Sequence, residues 1–158
     1  MVIENRENIV PFMSQVIVTD QDIDDILCTA FEGGINYWCQ YYNCHAPFDI
    51  DGKEIPMKVD HNYEYLSRGG SLSIVVRDDH IPDPNRKDND LISKVRVLNK
   101  NTFIKGMELY INKYAPELIR HKRNIDGKNV YKLEVGSLDA GDCDNIVQFV
   151  CFDEVRYG

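Results

Sequence analysis

The sequence predicts an α+β fold in which three amphipathic helices pack on a mainly antiparallel sheet. Three observations lead there. Stretches 20–32, 102–114 and 139–152 carry apolar residues at the i, i+3, i+4, i+7 spacing of one helical face. Between them lie short runs rich in β-branched and aromatic residues, which suit strands. Turn dipeptides such as Asp51-Gly52, Gly69-Gly70 and Asp126-Gly127 punctuate those runs.

Taken in order, residues 1–14 show no strong periodicity and read as a loose lead-in, and 15–18 reads as a short strand. Thr19 or Asp20 then caps the first helix, with further acids in its first turn at the positive end of the helix dipole. Ile23, Ile26, Leu27, Ala30 and Phe31 form its buried face, and Gly33-Gly34 stops it. The aromatic-rich run 35–42 reads as a strand leaving that helix, and Asp51-Gly52 as the turn of a hairpin over 48–59. A short helical turn over 62–66 ends at Arg68-Gly69-Gly70, and 71–76 is a strand. Two prolines and many charges make 78–90 a mobile loop, and 95–98 is another strand. Asn101 or Thr102 caps the second helix, whose stripe is Phe103, Met107, Tyr110, Ile111 and Tyr114, with Pro116 just beyond it. A strand over 130–135 precedes the third helix, capped by Asp139, with Ala140, Cys143, Ile146, Val147, Val150 and Cys151 on its buried face. Residues 155–158 read as an edge strand or a tail docked on a neighbouring copy. No linker divides the chain, so 1–158 is expected to be a single domain.

Of the 158 residues, 28% are charged, and the formal net charge of −8 argues against a general nucleic-acid binder. It favours basic partners instead. No run of 18 apolar residues is present and residues 1–15 lack an apolar h-region, so neither a membrane span nor a secretion signal is expected. The five cysteines form an odd set, which with no such signal implies reduced thiols in a cytoplasm.

Cys39, Cys44 and His45, with His61 further on, are the nearest approach to a zinc set. Their C-x4-C-H spacing has no second cysteine pair to answer it, so ordinary thiols and no metal are expected. Asp20, Asp22 and Asp24 copy the start of a calcium loop, but its glycine is missing and Phe31 stands where the bidentate glutamate belongs. No nucleophile elbow, Walker A loop or dinucleotide fingerprint occurs, so no enzyme is expected and no cofactor is implied. Two segments have ligand chemistry. Tyr37-Trp38, with Tyr41 and Tyr42 nearby, offers rings that stack on a planar base. Ser67-Arg68-Gly69-Gly70 joins a guanidinium fork to backbone N–H groups that an anion can approach. Each also has a plain structural reading: Trp38 as core, and Arg68-Gly69-Gly70 as a turn.

Four stretches, T-D-Q-D-I-D-D-I-L-C-T-A-F-E-G-G-I-N-Y-W-C (19–39), S-R-G-G-S-L (67–72), T-F-I-K-G-M-E-L-Y (102–110) and L-D-A-G-D-C-D-N-I-V-Q-F-V-C-F-D-E-V-R-Y-G (138–158), resemble a family of small bacteriophage and prophage proteins. Segments 44–62 and 81–90 look particular to this chain. The resemblance implies an accessory protein of the bacterial cytoplasm that blunts host defence. On that basis the first expectation is a non-enzymatic protein that sequesters a small nucleotide-type signalling ligand. Tyr37 and Trp38 would stack on the base, Arg68 with the amides of Gly69 and Gly70 would hold phosphate, and Arg156 would add a second cation. The alternative is an anti-CRISPR-like inhibitor whose acidic surface occupies the basic channel of a host defence protein. A second alternative is a nucleotide-processing enzyme. A homo-oligomer, a dimer through residues 155–157 added to a neighbour's sheet edge, is also expected.

Overall fold

The three helices and short strands expected above are arranged as an α+β fold whose strands divide between two sheets. A computed structural model of the chain describes residues 7–11, 15–77, 95–114, 119–125 and 127–158. The loop expected over 78–90 lies outside the described residues. In chain order the elements are β1 (Glu7–Pro11), β2 (Gln15–Thr19), α1 (Asp20–Thr29) with a π-helical turn Ala30–Gly34, β3 (Cys39–His45), a 3-10 turn Asn62–Glu64, β4 (Ser71–Val76), β5 (Val95–Leu98), α2 (Lys100–Tyr114), β6 (Ile119–Ile125), β7 (Lys128–Leu133), a 3-10 turn Val135–Ser137 and α3 (Ala140–Phe152).

One sheet has the order β1-β2-β7-β6 and the other β3-β4-β5. All pairings are antiparallel except β2 with β7, where Val16 faces Tyr131 and Ile17 faces Lys132. Three elements depart from the expectation, one of them β6 (Ile119–Ile125), where no strand is expected and which pairs antiparallel with β7. Glu7–Pro11 is a strand, not a lead-in, because it pairs along its length with β2 from Glu7 opposite Thr19 to Pro11 opposite Gln15. That partnership is invisible to a five-residue window. Ile35 to Trp38 is a reverse turn, in which the amides of Trp38 and Cys39 both donate to Ile35 O at 3.2 and 2.9 Å, and β3 begins only at Cys39.

The helices begin where side chains can close their open N–H groups. At α1, Thr19 Oγ1 accepts from the Asp22 amide (3.1 Å) while Asp22 Oδ2 accepts from the Thr19 amide (2.9 Å). At α3, Asp139 and Asp142 exchange the same pair of bonds at 2.8 and 3.1 Å. At α2 the exchange is between Asn99 and Thr102, so the cap lies two or three residues before the Asn101 or Thr102 expected, and the helix starts at Lys100. Each arrangement is a capping box, worth about 1 kcal/mol over an alanine cap.

The core draws on both sheets and all three helices. Val16, Val18 and Leu133 come from the first sheet, Leu72, Ile74, Val76 and Leu98 from the second. Ile23, Ile26, Leu27, Phe103, Met107, Ile111, Ile146 and Val147 fill the space between. Helices α2 and α3 cross with no room for a side chain at Gly106, where an added Cβ would stand 2.3 Å from Val150 Cγ2. Trp38 is completely buried in this core. Among the described residues no helix is long and apolar enough to cross a membrane.

Candidate functional site

The six residues expected to hold a ligand separate into two groups, each bonded to its own surroundings. The first is built on the inward side of α3. Asp144, Val147, Gln148 and Cys151 recur at helical spacing; Asp144, Val147 and Gln148 are buried and Cys151 is half-buried. Asp144 Oδ1 accepts from Trp38 Nε1 at 2.6 Å and from Gln148 Nε2 at 3.1 Å, while its Oδ2 accepts from the Tyr37 hydroxyl at 2.7 Å. Gln148 Oε1 in turn accepts from the amides of Arg156 (2.8 Å) and Tyr157 (2.9 Å), and its Nε2 donates to Tyr157 O at 3.0 Å. A buried amide and a buried carboxylate are thereby fully partnered, as low-dielectric surroundings require.

The rings complete this group. The Tyr157 ring lies over Trp38 at 5.7 Å and 18°, and Phe152 meets Trp38 edge-on at 5.6 Å. The Arg156 guanidinium sits 4.7 Å from the Phe152 ring centre and bonds Glu154 Oε1 at 2.7 Å. Trp38 is therefore a core residue, and its stacking partner is Tyr157 of its own chain rather than a base. Tyr37 keeps part of its ring exposed, but burial, and then the neighbouring Asp144 carboxylate, push its hydroxyl far above the ordinary range. Arg156 and Tyr157 are folded back onto Gln148, and 155–158 form no strand within the chain.

The second group surrounds the turn after the 3-10 segment. Arg68 Nη2 bonds Glu64 Oε1 at 3.0 Å, and its Nη1 makes a long bond, 3.4 Å, to Lys58 O. Glu64 Oε2 accepts from the amides of Asp60 (2.8 Å) and His61 (2.6 Å). Burial raises the Glu64 carboxyl, but these amides and Arg68 outweigh it and hold it below its ordinary value. The amides expected to receive phosphate are also in use: Gly69 N–H donates to Leu66 O at 3.2 Å and Gly70 N–H to Tyr65 O at 2.8 Å. Gly69 has the left-handed φ of 98°, and a Cβ on Gly70 would stand 2.2 Å from His45 O. The glycines serve a turn packed tightly against β3. In this conformation Arg68, Gly69 and Gly70 form a closed turn.

Behind that turn lies Asp24, a residue not expected at any site. It is 5% exposed, and its Oδ1 has no hydrogen-bond partner. Burial pushes its carboxyl up to about 6 against the opposing pull of a Ser67 bond and the Arg68 charge; Glu64 and Asp20 add like charge. Asp20 itself bonds Lys100 Nζ at 2.6 Å. The sequence does carry a trace of this: Asp24 shares a helical face with Leu27 and Phe31, three and seven residues on.

The thiols are chemically quiet. Burial pushes Cys39 and Cys44 up to about 11 and Cys143 up to about 12, and raises Cys151 further. Thiolate, the nucleophilic form, is correspondingly scarce at neutral pH. No group of three or more histidine, cysteine, aspartate or glutamate side chains among the described residues could hold a metal ion.

A third feature is on the surface. The hairpin expected over 48–59 is present as a short one, with Phe48 bridged to Glu54. Its apex carries Ile50, which is 102% exposed, flanked by Phe48 at 61% and Ile55 at 45%. No protein-family model, curated protein or solved structure matches the chain.

Proposed function

We propose that this is a non-catalytic protein, encoded by a phage or prophage, that counters host defence in the bacterial cytoplasm by binding a host protein through an acidic surface. One observation carries the reading. The side chains and amides chosen for nucleotide chemistry are bonded to other groups of the chain, among them Asp144, Glu64, Leu66 and Tyr65, while carboxylates such as Asp25, Glu32, Asp49, Asp51, Glu54 and Asp60 face outward. With a formal net charge of −8, such a surface favours a basic partner and speeds encounter with it. The nucleotide-sequestering reading would require Arg68 to leave Glu64 and Tyr157 to leave Trp38 before either group met a ligand.

The test is made on the full chain purified from a defended bacterial host. The expected outcome is a stoichiometric host protein whose binding weakens as salt is raised, with no small molecule released on heating. Release of an intact nucleotide in stoichiometric amount would return the sequestering reading to first place, and a nucleotide product in its stead would favour an enzyme.

A further inference from the structure

We infer that the hairpin tip bearing Phe48, Ile50 and Ile55 is the anchor of the protein-binding surface, and that it enters an apolar pocket rimmed by lysine or arginine on the partner. This rests on the protein-binding reading above.

The backbone of the tip is pinned from within. The Asp49 carboxylate accepts from the amides of Asp51 and Lys53 through the same Oδ1, both at 2.9 Å. Across the loop the Asp49 amide donates to Lys53 O (2.8 Å), Gly52 to Asp49 O (3.0 Å) and Ile55 to Pro47 O (2.8 Å). The returning arm is secured at its far end by Arg68 on Lys58 O and by Glu64 on the amides of Asp60 and His61. A fully exposed isoleucine held on so constrained a loop gains nothing for its own fold. It is, however, preorganised for burial elsewhere, so little ordering entropy is lost when a partner covers it. Large side chains that fill a pocket at the centre of an interface commonly dominate its affinity.

Charge selects among the possible occupants. Asp49, Asp51 and Glu54 surround the apex, against Lys53 alone. A bilayer carrying anionic lipids would repel them. A second copy of this chain docking tip to tip would set the same carboxylates against their counterparts. A basic rim around an apolar pocket satisfies both parts of the surface at once, and it matches the basic partner that the net charge favours.

The probe is the host protein isolated with the wild-type chain, used in purified form. Ile50→Ser and Phe48→Ser should each weaken its binding by roughly tenfold or more. An Asp51→Lys, Glu54→Lys double variant should slow association and flatten its salt dependence. Ile50→Ser should melt with the wild type, because its side chain touches nothing in the free fold. If the host protein binds the two serine variants as tightly as wild type, the tip inference fails and the protein-binding reading stands. If wild type captures no host protein, both fail. Flotation of wild type, but not of Ile50→Ser, with phosphatidylglycerol vesicles would assign the tip to a membrane and overturn the inference. Dimerisation of wild type lost in Ile50→Ser would overturn it in favour of a second copy.

Discussion

Replacing Asp24 by asparagine tests the electrostatics of the second group most directly. In the fold this carboxyl is pushed from 3.8 up to about 6, chiefly by burial. A shift of about two units corresponds to about 3 kcal/mol between the two protonation states. The sign follows from the direction. A raised carboxyl binds its proton more tightly when folded, so the fold loses stability as pH rises from about 4 to about 6, and above that the loss stays constant. Asparagine has the same shape and no ionisation, so it removes that pH-dependent loss. Its amide meets the same partnerless surroundings as Oδ1, but that cost is equal at every pH. The diagnostic quantity is therefore how the difference between variant and wild type changes with pH.

Between about pH 4.5 and about pH 8 the stability of Asp24→Asn relative to wild type should improve by about 2 kcal/mol. For a chain of this size that is roughly 4–8 °C in Tm. Thermal or denaturant unfolding of both proteins at the two pH values reads it, and all other titrations cancel in the comparison. A difference that stays constant with pH would mean an ordinary carboxyl at this position. A difference that falls as pH rises would mean that the Arg68 charge outweighs burial. Either result refutes the argument.

Other consequences follow from the same contacts. Trp38→Phe removes a buried donor and leaves Asp144 Oδ1 with Gln148 alone, so denaturant unfolding should show a loss of about 1–3 kcal/mol; an unchanged midpoint would mean that the Trp38–Asp144 bond contributes nothing. Ile26→Ala empties a site with no solvent exposure and should cost about 2–5 kcal/mol by the same measurement. Arg68→Ala should speed hydrogen exchange at the Asp60 and His61 amides, and Arg68→Lys should restore only part of the protection, because an ammonium cannot reach Glu64 and Lys58 O as a planar fork does. Alkylation of the native protein near pH 8 should leave Cys39, Cys44 and Cys143 largely unmodified until denaturant is added; rapid native reaction at any of them would contradict their burial.

The helices were legible because their signal is local. Ile23, Ile26, Leu27 and Phe31 repeat within a dozen residues, and the caps at Thr19 and Asp139 sit directly beside the runs they close. Strand β1 was not legible, since its only support is a partner strand. Trp38 shows why sequence and structure differ at the candidate site. An aromatic after a helix stop looks the same whether it faces solvent or core, and what decides is Asp144 and Tyr157, more than a hundred residues further along. Arg68 followed the same logic at shorter range, its partners being Glu64 and Lys58. By contrast, the apex of the Phe48–Glu54 hairpin is legible in the sequence. Ile50 sits between two aspartates in a turn that has no core to face.

The parallel pairing of β2 with β7 also dictates an order of assembly. Val16 meets Tyr131 and Ile17 meets Lys132, so this ladder closes a loop that contains most of the chain. Loop closure on that scale is entropically costly and slows folding. The sheet β3-β4-β5 needs only residues between Cys39 and Leu98 and can form while the rest of the chain is still being synthesised. The β1–β2 hairpin, although made first, must wait for β7 to complete its sheet, and in that interval the β7-facing edge of β2 at Val16 and Ile17 lacks its partner. A nascent chain stalled before residue 128 would therefore carry a finished second sheet beside a sticky, half-built first one.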